Sequence, residues 1–112
     1  MRSALLIAVT LLAVGLASVA LGSDVPAGQT AFLENKCNTC HSVDSAEIAK
    51  KSEKMKGPDL SNAGADVKSA EWLKGFLLKK EEIDGKKHKK TWKGTDEQLD
   101  TIVKWVMSLK KS

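Results

Sequence analysis

Five consecutive residues, Cys37-Asn38-Thr39-Cys40-His41, constrain this chain more than any other feature. They place two thiols three positions apart and set an imidazole directly after the second. No third cysteine exists, and the only other histidine is His88. Three ordinary chemistries compete for the group. A structural disulfide between Cys37 and Cys40 leaves His41 without a purpose. A thioredoxin-like pair requires strands alternating with helices around it, whereas the flanking residues read as helix and loop. A zinc site requires a fourth ligand, commonly from a second close-spaced pair, and the chain offers none beyond His88.

A fourth chemistry uses all three side chains. The spacing matches the Cys-x-x-Cys-His signature of covalent c-type haem attachment. Two thiols so placed reach the two vinyl groups of one porphyrin edge, and the next residue offers its imidazole to the iron from below. Cys37 and Cys40 are then the expected thioether links and His41 the proximal ligand. The composition agrees, because a chain of about 90 residues buries only about two thirds of its unfolded surface and needs a staple. With both cysteines committed, the cofactor itself is the expected filling of a core that this lysine-rich sequence lacks.

The chain of 112 residues has room for one domain. Arg2 precedes an uncharged run of eighteen residues, Ala4 to Leu21, which reads as an export signal. Small residues at Ala20 and Gly22 suit cleavage before Ser23, giving a signal segment 1–22 and a domain 23–112. An uncleaved membrane anchor is the alternative, since the run sits at the lower edge of bilayer-spanning length. Either way the expected address is the periplasm or the periplasmic side of the inner membrane, where covalent haem attachment takes place. Losing residues 1–22 removes one base and no acid, lowering the formal charge from +4 to +3. That is a mildly basic surface and not a nucleic-acid-binding one.

Further along, the pattern predicts helices and no sustained strand. Pro26 opens a helix to about Asn38, with Ala31, Phe32 and Leu33 leading into Cys37. Ser45 to Met55 reads as either a solvated helix or a long loop, with Ile48 its lone apolar anchor. Gly57-Pro58-Asp59-Leu60 forces a tight loop. Ser69 begins a helix whose Trp72, Leu73, Phe76 and Leu77 share one face, and Gly75 inside it suggests close packing. Lys79 to Lys93 is a charged loop holding His88 and Trp92. Thr95 with Gln98 forms a capping box for a last helix that aligns Leu99, Ile102, Val103, Val106 and Leu109, with Trp105 and Met107 flanking. Lys110 and Lys111 would suit its negative end. The expected architecture is all-α.

These features together resemble the class I c-type cytochromes over nearly the whole chain after residue 22. The matching elements are the helix feeding Cys37-x-x-Cys40-His41, the Gly57-Pro58-Asp59-Leu60 loop, the middle helix, and the Trp92-Lys93-Gly94 turn before the last helix. The resemblance implies a cytochrome c-like small helical domain wrapped around one covalently bound haem c. It implies that Phe32 or Leu33 meets Trp105 where the first and last helices cross. It further implies that the Pro58 carbonyl accepts a hydrogen bond from His41, and that Trp92 lies at the cofactor.

The sequence departs from the family at the sixth iron ligand. Counting back from Gly94, Lys89 stands where the common methionine would be and Lys90 where a proline would follow. His88, in the same loop, is the expected replacement. Met55 is the alternative, and Met107 reads as core filler. The implied function is transfer of single electrons between partner proteins, with Lys86, Lys87, Lys89, Lys90 and Lys93 as a docking face for an acidic partner. No general base, nucleophile or substrate pocket is visible, so no enzymatic role is expected. A haem protein with an open sixth site for peroxide or a gas, and a haem-free zinc module, are the competing functions.

Overall fold

The crossing of the first and last helices organises the fold, and a missing side chain permits it. The computed structural model describes residues 25–111; the signal segment read at 1–22 lies outside them. Helix α1 (Ala27–Glu34) packs on α4 (Asp96–Met107) through buried Gly28, Ala31 and Phe32. A Cβ placed at Gly28 would collide with the Cβ of Trp105 and come within 2.8 Å of the Thr101 carbonyl oxygen. Only glycine lets the two backbones approach this closely. One turn on, Phe32 meets Trp105 edge to face, with centroids 5.4 Å apart and planes at 62°. Leu33, the other expected contact, is 39% exposed and takes no part.

Between these helices lie α2 (Ala63–Asp66) and α3 (Ala70–Leu77), both against α4. Short 3-10 turns occupy Cys37–Thr39 and Asp44–Ala46. No strand occurs among the described residues, only the isolated bridges Val43–Ile48 and Ile83–Lys86. The all-α expectation therefore holds. The expected capping box holds, with Thr95 and Gln98 bonding reciprocally, and Ser69 adds a second cap as its hydroxyl accepts from the Trp72 N–H. Each satisfies otherwise unpaired N–H groups of a first turn, worth about 1 kcal/mol.

Several boundaries differ from expectation. Helix α1 ends at Glu34 instead of continuing to Asn38. Asn35 turns its side-chain amide back to the Ala31 carbonyl at 2.8 Å, and Lys36 adopts the left-handed conformation at φ 58°. The chain thereby swings out of the helix axis just before Cys37. Ser45 to Met55 is loop beyond its first 3-10 turn, and Ile48 is buried as its anchor. Helix α4 stops at Met107, so Leu109 and both following lysines lie beyond it. That tail is fastened to α2 instead, with Gly64 N–H donating to Leu109 O at 2.8 Å and Lys111 N–H to Asn62 Oδ1 at 2.9 Å. Gly75 makes no close backbone approach, since a Cβ there would meet only the side chains of Glu81 and Lys80.

Candidate haem site

The left-handed Lys36 and the 3-10 turn Cys37–Thr39 place both cysteines just beyond the end of α1. Both cysteines are free and half-buried, and burial raises the Cys37 thiol above its ordinary range. A disulfide between them is therefore not formed. His41 follows, and its N–H donates to the Cys37 carbonyl at 3.1 Å.

The imidazole of His41 is held from the Gly57–Leu60 loop. Its Nδ1 lies 2.8 Å from the Pro58 carbonyl oxygen. A carbonyl can only accept, so Nδ1 carries the proton and Nε2 keeps its lone pair for a ligand. Burial also lowers the imidazole pKa, outweighing the Pro58 bond, which keeps the ring neutral. Gly57 makes the approach possible, because a Cβ there would strike the Cys40 carbonyl and sit 2.8 Å from the ring's Cε1 and Nδ1.

His88 repeats this arrangement from the opposite loop. Its Nδ1 lies 2.9 Å from the Lys90 carbonyl, which again fixes the proton on Nδ1 and leaves Nε2 free. Its ring runs nearly parallel to that of His41, at 6°, with centroids 6.2 Å apart. A metal–imidazole bond is about 2.0 Å and the nitrogen lies about 1.1 Å from its ring centre, so two imidazoles that would hold one iron between them would have centroids about 6.2 Å apart. Phe76 of α3 presents its ring to His88 at 5.3 Å and 70°, and Trp72 stacks behind Phe76 at 5.3 Å and 8°. By spacing alone that pair belongs only to one face of a helix. The four-residue spacing of two aromatics was the available signal, but what they would face was not encoded in it.

The other candidates stand elsewhere. Met55 precedes Gly57 by two residues, and its carbonyl accepts from Lys50 Nζ at 2.9 Å. Met107 lines a groove between α3 and α4 with Val103 and Lys74. Trp92 folds over Gly94, and its buried indole Nε1 has no protein partner. Lys86, Lys87, Lys89, Lys90 and Lys93 are all exposed, and Lys90 Nζ reaches back to the Asn35 carbonyl at 3.3 Å.

Two imidazoles, two thiols and an orphan indole N–H suit a haem better than a bare metal ion. A porphyrin supplies four nitrogens and asks the protein for two more. A zinc module would need all four of these donors gathered on one ion, and among the described residues no group of three or more His, Cys, Asp or Glu side chains is placed to hold one.

Comparison with known families agrees with a haem-binding domain. The cytochrome c family model matches residues 25–110. Comparisons with curated proteins and with solved structures return no match. The chain belongs to the cytochrome c family, whose members transfer electrons on a covalently bound haem c.

Proposed function

We propose that this chain is an exported electron carrier whose haem iron is bound by His41 and His88, with Cys37 and Cys40 as its thioether links. One observation carries the reading: two imidazoles with parallel planes, each tied by Nδ1 to a backbone carbonyl, at the separation an iron between them requires. The bound haem supplies the one-electron chemistry, cycling between ferric and ferrous iron. The protein's own work is to hold both ligands oriented, each with its proton on Nδ1 and Nε2 free. Pro58 and Lys90 do this through their carbonyls, Gly57 by leaving room under the His41 ring, and Phe76 by walling the His88 ring. Fixing both rings before electron transfer limits the rearrangement that accompanies a change of charge.

Two nitrogen ligands favour ferric iron relative to a nitrogen–thioether pair, so the reduction potential should lie below that of a methionine-ligated relative. Exposed lysines around His88 supply a positive face for an acidic partner. No catalytic role is assigned, since the group facing His41 is a second ligand and not an acid or base.

The test is the ferric absorption spectrum of the purified protein and of two variants. Wild type should be low-spin and lack the far-red band of methionine-sulfur ligation. Replacing His88 with alanine should give a high-spin or exogenously ligated spectrum, whereas Met55→Ala should leave it unchanged. A far-red sulfur band lost on replacing Met55 would overturn the His88 assignment.

A further inference from the structure

We infer that Asp59 is a positioning residue for the proximal ligand: its carboxylate clamps the segment after His41 to the segment after Pro58 and so fixes the His41–Pro58 hydrogen bond. The inference rests on His41 binding the haem iron.

One carboxylate takes four hydrogen bonds. Its Oδ1 accepts from the Asp44 N–H at 2.9 Å, the Ser42 hydroxyl at 3.0 Å and the Ser61 hydroxyl at 3.2 Å. Its Oδ2 accepts from the Ser61 N–H at 3.3 Å. The clamp extends further, because the Ser61 hydroxyl accepts from the Ser45 N–H at 2.9 Å and the Leu60 N–H donates to the Ser42 carbonyl at 2.9 Å. Ser61 is 1% exposed and Val43 fully buried, so the junction is packed as well as bonded.

Position in the chain gives this clamp its consequence. Ser42 follows His41 directly and Asp59 follows Pro58 directly, so the clamped residues adjoin the two partners of the 2.8 Å bond. That bond governs how strongly His41 donates to a metal. Without the carboxylate, the two segments keep the Leu60–Ser42 and Ser45–Ser61 bonds but lose every other tie named here. The Pro58 carbonyl then drifts, Nδ1–H is held less firmly, and His41 donates less, which disfavours ferric iron. The titration of Asp59 agrees with a hydrogen-bonded carboxylate: burial pushes its pKa up, yet the bonds from Asp44, Ser61 and Ser42 together carry it below the ordinary value.

Two substitutions in the haem-loaded protein separate position from charge. Asparagine keeps an oxygen where three of the four donors converge, while alanine removes them all. Asp59→Ala should shift the ferric–ferrous equilibrium toward ferrous by about tenfold, the low end of losing a ligand's outer partner. It should also speed solvent exchange of the His41 Nδ1 proton in the ferrous protein, followed by NMR. Asp59→Asn should stay within about twofold of wild type on both readouts, since position and not charge sets the bond.

An equal shift in both variants would assign the effect to charge and overturn the clamp, as would no shift in Asp59→Ala. If Asp59→Ala does not accumulate with haem, Ser42→Ala removes one bond. A smaller shift in the same direction then supports the clamp, and wild-type behaviour refutes it. His41→Ala tests the underlying assignment separately: a variant that kept the wild-type low-spin spectrum would remove His41 as ligand, whatever Asp59 does.

Discussion

Replacing Gly28 with alanine tests the helix crossing on which the site is built. The added methyl would clash with the Trp105 Cβ and lie 2.8 Å from both Trp105 Cγ and Thr101 O, where ordinary carbon contacts are about 3.5–4.0 Å. A Cβ and a backbone carbonyl cannot rotate away, so α1 and α4 must separate. Overpacking of this kind costs about 1–3 kcal/mol. Loosening the Phe32–Trp105 pair adds about 0.5–1.5 kcal/mol, and improved helix propensity returns up to about 1 kcal/mol. The net is about 2 kcal/mol, which lowers the melting temperature of a domain this size by about 8–16 °C.

Thermal unfolding of the haem-loaded protein, followed by far-ultraviolet circular dichroism, measures this directly. Gly75→Ala is the control, because the atom nearest its new methyl is the movable Glu81 Cγ at 3.0 Å. That variant should melt at or above wild type. If Gly28→Ala also melted at or above wild type, the close crossing would be refuted.

Removing either thioether should deplete the folded haem protein, so Cys37→Ala is expected to carry haem through one link or none and to melt less cooperatively. A haem-free Cys37→Ala/Cys40→Ala double variant with a wild-type melt would show that the cofactor is not part of the core. Asp59 should contribute to acid stability: unfolded it takes up a proton near its ordinary value of about 4, folded only lower, so stability falls as pH drops through that window. Asp59→Asn should flatten this limb of the unfolding curve, and an unchanged limb would contradict the linkage. Electron transfer to an acidic acceptor should slow as salt rises, because charges beyond about 10 Å are screened at 0.1 M. Rates independent of ionic strength would remove the lysine face as a steering surface.

How much of this was legible beforehand depended on the range of the interaction. The Cys37-x-x-Cys40-His41 motif and the Thr95–Gln98 box are local patterns and could be read from spacing. The end of α1 could not, because its stop is a left-handed lysine, and Lys36 carries no glycine or proline signal. Helix α2 has no signature in the sequence, because four residues are too short to show a period. Gly28 and Gly75 look alike in sequence, yet only the first faces another backbone, and that is a tertiary fact. Pro58 was implied by the family resemblance. The converging donors on Asp59 come from residues up to seventeen positions away and had no local signature.

The electron paramagnetic resonance spectrum of the ferric protein tests the central assignment most directly, because it reports both the ligand pair and the angle between the ring planes. Two imidazoles at 6° should give a rhombic low-spin signal, and His88→Ala should abolish it. A high-spin signal in wild type, or a low-spin signal that survives His88→Ala, would contradict ligation by His41 and His88.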